Sequence, residues 1–492
     1  MNAALPRLSR RTLPGVTTAA RPAYDPAGLT TGIVHLGIGA FHRAHQAAMT
    51  DAATDVADAG WGIAGVTQRS TDVVDRMRPQ DCLFTVVTRN GGEQLDARVV
   101  GSVTSVLHAA SQPEALLATL SAPTTRIISA TVTEKGYAAA LSSRTLITDS
   151  PLVAQDLADP RPHRSVVGQL VGGFARRADR GDPGVTVLCC DNVPRGGELL
   201  HDLCLQFLER WSSHRAAEVA SWMSRHVRFP NTLVDRIVPG TTEADAHVLT
   251  QRLGYRDDAL VTAERYGLWV IEDDFAAGHP QWPADEVRLV KDIQPWSDVK
   301  LRLLNGGHSL VSYVGLLDGR ETVSEVMRVA WIRQLLDAWL DEAGRSLCEL
   351  PEGLDLATYR DDVVSRFAND GIAYRLGKVA ADGSLKLPTR VGSTASDLVA
   401  GGADARVSAL TLATWLHYAE QPGTVLDDPN AARIDEALDA GREPRALVER
   451  VYGSQGVAPL PAVLQDDFLD DVATALDTLR LRGVSAAAGL LA

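Results

Sequence analysis

The stretch 31–45 constrains the fold more than any other part of this sequence. It reads TGIVHLGIGAFHRAH, an apolar run that meets a Gly37-Ile-Gly39 turn and continues as a helical segment to about Asp55. This order is typical of the first βα unit of a dinucleotide-binding fold, in which the helix N-terminus faces a pyrophosphate. His42 replaces the third glycine of that fingerprint, so a tight turn without a ligand stays open at this point.

Length and composition predict a folded protein of more than one domain. The chain has 492 residues, and 45% of them are hydrophobic. A chain of this length is too long to fold around one ordinary hydrophobic core. No apolar run approaches the roughly 20 residues of a membrane helix, and no apolar signal core follows the N-terminal arginines, so we expect a cytoplasmic protein. A net charge of -14 argues against nucleic acid or an anionic membrane as partner, which leaves a small molecule.

Apolar strand patterns continue after the first βα unit. They cover 61–68, 83–88, 94–103, 125–132, 184–190, 269–275 and 287–293, with a helix at 165–180. Asn90-Gly91-Gly92 predicts a hairpin turn between the second and third of these runs. The pattern predicts an α/β Rossmann-type domain over 31–290, preceded by an arm at 1–30 that either packs on the surface or is partly disordered.

The end of the second strand bears on the choice of cofactor. Many NAD-binding folds place an acidic residue there to bind the adenosine ribose, whereas this chain has Gln68-Arg69. Arg69 would accommodate a 2′-phosphate, so NAD and NADP both stay open.

Polar side chains follow two other strands. Thr133-Glu-Lys135-Gly-Tyr137 lies at the end of the 125–132 strand, where open α/β sheets bind ligands. Lys135 either contacts a ligand there or pairs with Glu134 or a helix end. Asn192, directly after the 184–190 strand, either caps the next helix or faces a substrate.

From about residue 296 the pattern becomes helical. Apolar residues recur at three- and four-residue steps over 324–342, 356–367 and 394–418, which predicts a mainly helical second domain over 291–492. Its first helix carries Lys300, Asn305 and His308. We expect a ligand site at the junction of the two domains, a common place for a cleft.

Lys300, Asn305 and His308 suit metal-independent hydride transfer. At about 100° per residue of an α-helix, one broad face presents all three side chains. Lys300 would take the hydroxyl proton, the amides of Asn192 and Asn305 would stabilise the oxyanion, and His308 would orient a second hydroxyl. Only five of the 48 cationic residues are lysine, which leaves 43 arginines, and arginine does not deprotonate in proteins. A non-catalytic, cofactor-binding sensor on the same fold is the alternative.

No pattern in the sequence indicates a metal site. The five cysteines form no CxxC pair, so we expect buried free thiols. His42 and His45 lack a nearby carboxylate or cysteine to complete a ligand set, so we expect them to make polar contacts at the helix start. The acidic run 272–274 suits a solvated strand end better than a divalent ion.

Six ordered motifs resemble those of the mannitol dehydrogenase family of polyol-specific long-chain dehydrogenases. Running from about residue 31 to beyond Lys386, they are GIVHLGIGAFHRAH, TEKGY, DNVPRGG, FPNTLVDRI, VKLRLLNGGH and FAN followed by DGSLK. The resemblance implies a Rossmann-type N-terminal domain, a helical C-terminal domain and metal-independent, NAD-dependent chemistry in a monomer. Where the family often has an acidic pair before its catalytic lysine, this chain has Ser297-Asp298, so the proton path is left open.

The resemblance also implies roles for individual residues. It makes Lys300 the catalytic acid/base, assigns oxyanion stabilisation to Asn192 and Asn305 and substrate orientation to His308, and adds the substrate-binding positions Asp235, Lys378 and Lys386. The residues we assign to cofactor binding are Gly37, Gly39, Ala40, Phe41, Arg43, Arg69 and Thr133.

Lys135 directs the choice of substrate within this resemblance. TEKGY is more similar to the fructuronate reductase branch, because mannitol dehydrogenases tend to have glycine at this position. A uronate carries a carboxylate that a polyol lacks, and a lysine would pair with it. We therefore expect interconversion of D-mannonate and D-fructuronate, with mannitol 2-dehydrogenase or another polyol dehydrogenase as the alternative.

Overall fold

The computed structural model describes residues 5–55, 58–89, 96–140, 143–372 and 374–489, apart from the side chains of Glu134 and Lys135. The chain divides into two units, Met1–Ile293 and Gln294–Ala492. The predicted Asn90-Gly91-Gly92 turn lies outside the described residues. Within the described ranges, no helix is long and apolar enough to cross a membrane.

The first unit holds all the strands of the described chain. They are β1 (Thr31–Leu36), β2 (Gly62–Thr67), β3 (Phe84–Thr88), β4 (Asp96–Val100), β5 (Val103–His108), β6 (Ile127–Ala130), β7 (Ala139–Ala140), β8 (Thr145–Leu146), β9 (Val185–Cys189), β10 (Val227–Arg228), β11 (Thr232–Asp235), β12 (Val261–Ala263), β13 (Leu268–Glu272) and β14 (Val287–Val290). Six of them form a parallel sheet in the order β5-β2-β1-β6-β9-β10. Three smaller sheets have the orders β11-β13-β14, β12-β3-β4 and β7-β8.

The parallel sheet is the scaffold of the first unit. Every residue of β2, β6 and β9 is buried, as expected for strands covered on both faces. The chain leaves β1 for β2 on one side and later places β6 on the other, so the order reverses between β1 and β6. Ligands of open α/β sheets bind at such a reversal, beyond the carboxyl ends of the strands. The predicted Rossmann-type fold is confirmed.

Helices cover the sheet of this unit. They are α1 (Ala40–His42), α2 (Ala48–Ala53), α3 (Asp72–Met77), α4 (Pro113–Leu120), α5 (Pro151–Ala158), α6 (Val166–Arg180), α7 (Gly196–Arg210), α8 (Ala216–His226) and α9 (Glu243–Leu253). Helix α6 begins after Ser165, whose hydroxyl accepts the Gly168 N–H at 3.0 Å, and ends at Gly181, whose φ of +66° favours glycine. These two caps explain why the predicted bounds of this helix are accurate.

The N-terminal arm packs on the first unit. Leu8 donates to the Arg256 carbonyl at 2.8 Å and Ala20 to the Ala97 carbonyl at 2.8 Å. Tyr24 donates to the buried Asp51 at 2.6 Å.

The prediction of one strand over 94–103 is wrong, because β4 pairs antiparallel with β3 whereas β5 joins the parallel sheet.

Among its described residues the second unit contains helices and loops but no strand, which confirms the predicted helical C-terminal domain. Its helices are α10 (Gln294–Val299), α11 (Gly307–Leu317), α12 (Val323–Val326), α13 (Ala330–Arg345), α14 (Leu356–Ala368), α15 (Leu376–Ala380), α16 (Gly383–Leu387), α17 (Ser393–Ala400), α18 (Arg406–Ala419), α19 (Ala431–Asp439), α20 (Pro444–Tyr452), α21 (Asp467–Arg482) and α22 (Val484–Ala488). One apolar core joins them, with Trp339, Trp415 and Tyr452 among its buried aromatic residues.

Two of the predicted long helices are interrupted. The 394–418 pattern divides into α17 and α18 at Gly401-Gly402, where Gly402 has a φ of +73°. The 324–342 pattern divides into α12 and α13. Apolar spacing continues across both breaks, because residues on either side face the same core.

Candidate active site

Gly37 shapes the turn between β1 and the following helix. Its φ of +103° favours glycine, and a Cβ at this position would overlap the carbonyl oxygen of Thr131. The N–H groups of Gly37 and Ile38 both donate to the Val66 carbonyl, at 2.8 and 3.0 Å. Gly39 then occupies the N-cap position of the helix. The turn that follows β1 is therefore held by contacts with β2 and with the residue that follows β6.

Hydroxyl groups bind the ends of β1 and β6 together. His35 on β1 contacts the Ser129 hydroxyl through Nδ1 and the Thr131 hydroxyl through Nε2, both at 2.8 Å. The Thr131 hydroxyl donates to the Gly37 carbonyl at 2.9 Å. Burial lowers the pKa of His35 to about 3, so this imidazole is neutral at physiological pH.

Asp191 fastens the 133–137 loop to the end of β9. Its carboxylate accepts the Val132 N–H at 2.9 Å and the Tyr137 hydroxyl at 2.6 Å. Burial raises the pKa of Asp191, and hydrogen bonds from Tyr137 and the backbone oppose that shift. Thr133 has φ 63° and ψ 162°, a conformation that is strained for any residue other than glycine. The Asp191 contacts hold the backbone on both sides of this strained residue.

The predicted cofactor-binding residues differ in their surroundings. Ala40 and Phe41 are partly exposed in the first turn of the helix, and Arg69 is exposed after β2. Arg43 is buried, and its guanidinium donates to the backbone carbonyls of Gly39 and Ala259. Arg43 thus stabilises the turn from the buried side, through its hydrogen bond to the Gly39 carbonyl.

The predicted catalytic and substrate-binding residues of the first unit lie at or just beyond the ends of its strands. Asn192, predicted to stabilise the oxyanion, is exposed three residues after β9 and next to Asp191 in the chain. Asp235 is buried at the end of β11. Lys135 belongs to the helical turn Glu134–Tyr137, and its side chain lies outside the described atoms.

The expectation of polar contacts is wrong for His42, which stacks on His35 with ring centroids 3.5 Å apart. His45 does make a polar contact, with the Leu268 carbonyl at 3.2 Å, and it also stacks on Phe41. Both imidazoles are buried, because the helix turns this face into the core. Among the described residues no group of histidine, cysteine and acidic side chains could hold a metal ion.

One cysteine and one residue of the acidic run 272–274 differ from the predictions of buried thiols and of a solvated strand end. Four cysteines are buried free thiols, but Cys348 is exposed. Glu272 is not simply solvated, because it accepts the N–H of Asn231 at 2.8 Å.

In the second unit, the Lys300 cluster lies on a π-helical segment. Lys300–Gly306 is π-helical between α10 and α11, so the angular positions predicted for an α-helix are wrong. Trp339 explains part of this geometry: a Cβ on Gly306 would overlap its indole ring, and the indole N–H donates to the Arg302 carbonyl at 3.1 Å. π-Helical turns are frequent at functional sites.

The three predicted side chains of this segment differ in exposure. Lys300 is 7% and His308 8% exposed, whereas Asn305 is partly exposed. His308 stacks on Phe367 with ring centroids 4.0 Å apart and meets the edge of Tyr374 at 5.8 Å. The imidazole is thus fixed between two aromatic rings.

The two other predicted lysines of this unit have different surroundings. Lys386 donates to the Ala381 carbonyl at 2.6 Å and lies 3.3 Å from the Asp382 carboxylate, so its charge is partly neutralised. Lys378 on α15 is exposed.

Both units match models of one protein family. The mannitol dehydrogenase Rossmann domain matches residues 31–284, and the mannitol dehydrogenase C-terminal domain matches residues 292–477. The chain belongs to the mannitol dehydrogenase family. This confirms the resemblance seen in the sequence motifs, and with it the prediction of a dehydrogenase that acts on a secondary alcohol.

Individual members of the mannitol dehydrogenase family are similar over nearly the whole chain. The D-mannonate oxidoreductase of Escherichia coli is 33% identical, over 94% of this chain and 96% of its own length. A mannitol 2-dehydrogenase of Pyrenophora tritici-repentis is 32% identical, over 98% of this chain and 86% of its own length. The structure of Pseudomonas fluorescens mannitol 2-dehydrogenase in ternary complex with NAD and D-mannitol has a TM-score of 0.82 at 32% identity, covering 99% of both chains.

Sequence motifs did not single out several residues that shape these sites. Tyr137 and Asp191 lie inside quoted motifs, but their mutual hydrogen bond joins loops 54 residues apart. Arg390 donates to the Asn305 carbonyl and the Ser309 hydroxyl, each at 3.3 Å. In a chain with 43 arginines, nothing in the sequence marks this one.

Proposed function

We propose that this dehydrogenase interconverts D-mannonate and D-fructuronate, with NAD as the hydride acceptor in the oxidative direction. The observation that carries the proposal is the position of Lys135, in a turn that Tyr137 fastens to Asp191 at the carboxyl end of the sheet. A lysine there suits the carboxylate that distinguishes a sugar acid from a polyol. The similarity to D-mannonate oxidoreductase over 94% of the chain supports the same substrate.

The first unit fits a dinucleotide. The Gly37 turn lies where the strand order reverses, and its lack of a Cβ lets the turn pack directly against the Thr131 carbonyl. Gly39 begins the helix that follows, so backbone N–H groups at that N-terminus suit a pyrophosphate. NAD supplies the carbon that accepts hydride, and the chain's own residues perform the remaining work.

In the oxidative direction Lys300 in its neutral form accepts the proton of the substrate hydroxyl. The carboxamides of Asn192 and Asn305 donate hydrogen bonds to the developing oxyanion without changing their own protonation. His308, fixed between Phe367 and Tyr374, orients a neighbouring hydroxyl. The reverse reaction returns the proton from the Lys300 ammonium to the carbonyl oxygen.

The substrate is tested by comparing sugar acids with neutral sugars. We expect the purified protein to reduce D-fructuronate with NADH at a kcat/KM at least ten times that for D-fructose, and to oxidise D-mannonate in preference to D-mannitol. The same assays with NADPH test the contribution of Arg69. A preference for fructose would refute the proposed substrate and favour mannitol 2-dehydrogenase activity, which the solved relative bound to D-mannitol also supports.

The role of Lys300 is tested with a matched pair of lysine variants. Lys300→Ala should lower kcat by roughly 100- to 10,000-fold, the usual contribution of general acid–base catalysis, while the protein still binds NADH. Lys291 is exposed nine residues earlier, and Lys291→Ala should match the wild type. Near-normal turnover of Lys300→Ala would exclude Lys300 as the acid/base, and a wild type that binds NADH without turning over any sugar would indicate a sensor.

A further inference from the structure

Arg390 lies against the segment that carries the proposed catalytic residues. It belongs to the π-helical segment Pro388–Gly392, which follows α16 in the second unit. Its Nη1 donates to the backbone carbonyl of Asn305 and to the hydroxyl of Ser309, each at 3.3 Å. The guanidinium therefore contacts the backbone of Asn305, the residue whose carboxamide we assign to the oxyanion.

The surroundings of Arg390 differ from those of other arginines enclosed in the same unit. Arg302 forms an ion pair with Asp397 at 2.6 Å, and Arg480 forms one with Glu420 at 2.6 Å. Arg390 is half-buried, yet both of its hydrogen-bond acceptors are neutral, and no carboxylate in the described part of the chain forms an ion pair with it. Burial lowers the pKa of Arg390, and the phenols of Tyr313 and Tyr374 and the Asp382 carboxylate, which forms no ion pair with it, oppose that shift. A cation withdrawn from water without a paired anion is unfavourable, so this position favours binding of an anion.

One edge of the guanidinium is available for that anion. Nη1 makes both protein contacts, which leaves Nε and Nη2 without an acceptor among the described residues. Two parallel N–H groups of this kind match the two oxygens of a carboxylate.

The aromatic neighbours of Arg390 link it to His308. The positive charge of Arg390 acts on Tyr374, opposing the rise that burial causes in the pKa of that phenol. Tyr374 in turn meets the His308 ring at 5.8 Å. Arg390 and His308 thus share Tyr374 as a neighbour, so the guanidinium and the imidazole assigned to substrate orientation belong to one group of side chains.

We propose that Arg390 binds the carboxylate of a sugar-acid substrate. This inference rests on the proposed function and extends it, because it adds a carboxylate-binding residue of the helical unit to the role already proposed for Lys135. In a hexuronate the carboxylate lies four carbon–carbon bonds from the reacting carbonyl carbon, about 5 Å along an extended chain. Asn305 connects the two positions, because its backbone carbonyl accepts from Arg390 and its carboxamide is the group that we assign to the oxyanion. Lys386 is less suited to this role, because Asp382 already pairs with it.

The test compares substrates with and without a carboxylate in full-length variants. For Arg390→Gln we expect the KM for D-fructuronate to rise at least tenfold more than the KM for D-fructose. Arg390→Lys, which keeps the charge but loses the paired donors, should fall between this variant and the wild type. Arg433 is exposed on α19 in the same unit, and Arg433→Gln should match the wild type with both sugars. Equal losses with both sugars would overturn the inference and leave Arg390 only a structural contact of Asn305.

A second measurement separates this inference from the proposed function. Calorimetric titration of D-mannonate into the NADH-loaded protein should show binding that Arg390→Gln weakens at least tenfold, with Arg390→Lys as the substitute if the glutamine variant does not fold. If the wild type binds D-mannonate through Arg390 but does not turn it over, the proposed reaction fails and the carboxylate site stands. Binding that is absent from the wild type, or equal in wild type and variant, overturns the site.

Discussion

Buried neutral histidines should make the first unit sensitive to acid. His35 is completely buried on β1, between the hydroxyls of Ser129 and Thr131. Burial lowers its pKa to about 3, whereas an unfolded histidine titrates near 6.5. Burial also lowers the pKa of His42, which stacks on the same ring. The perturbation we consider is His35→Gln, which keeps a polar side chain but does not titrate.

The direction and size of the effect follow from proton linkage. Between pH 6.5 and about 3 the unfolded chain binds a proton that His35 excludes in the fold, so stability falls as the pH falls. Each pH unit costs about 1.4 kcal/mol per histidine, and hence about 2 kcal/mol at pH 5. His35→Gln should be less stable than the wild type at pH 7, because it loses at least one hydrogen bond, but its stability should depend less on pH.

Hydrogen exchange measures this effect within the first unit. Amide exchange of peptides covering residues 31–54, corrected for intrinsic rates, gives the local free energy of unfolding at pH 5, 6 and 7. Between pH 7 and pH 5 we expect His35→Gln to lose about 2 kcal/mol less stability than the wild type, with most of the difference arising between pH 6 and pH 5. His214 is exposed, and His214→Gln is the matched control that should keep the wild-type slope. A flat wild-type profile, or identical slopes for His35→Gln and the wild type, would refute the assignment of a neutral buried imidazole.

Two further substitutions test the turn and the loop of the first unit. Gly37→Ala should lower NADH affinity at least tenfold in a fluorescence titration, because the new Cβ would overlap the Thr131 carbonyl at a φ of +103°; wild-type affinity would contradict this account of the turn. Tyr137→Phe removes a hydrogen bond to the Asp191 carboxylate worth about 1.5–3 kcal/mol and should release strained Thr133. We expect about a tenfold lower kcat with NADH affinity retained, and an unchanged kcat would show that the loop needs no such anchor.

The first unit could be predicted well from sequence, because its signals are local. A Gly-x-Gly turn after an apolar strand leaves few alternatives, and the capped ends of α6 are visible as Ser165 and Gly181. The surroundings of His42 in the same segment were not predicted correctly. Spacing alone does not distinguish a side chain that caps a helix from one that stacks inside the core, as His42 does on His35.

The second unit shows where sequence periodicity reaches its limit. The residues Lys300, Asn305 and His308 were singled out from sequence, but their angular arrangement was not, because the segment is π-helical. The wider turn of a π-helix cannot be recognised from the amino-acid composition of the segment. The contact that accompanies it, Trp339 against Gly306 and the Arg302 carbonyl, joins positions more than 30 residues apart.

The distribution of cations around Lys300 connects composition with chemistry. Arg302 follows two residues later on the same π-helical segment, is similarly buried, and has a permanent carboxylate partner in Asp397. An arginine in that position can hold its charge through a reaction but cannot take up or release a proton. Arg302 thus supplies a fixed charge with its own anion, and in our proposal Arg390 supplies one that receives its anion from the substrate. The buried position assigned to proton transfer has a lysine, which is the cation that can lose its proton during the reaction.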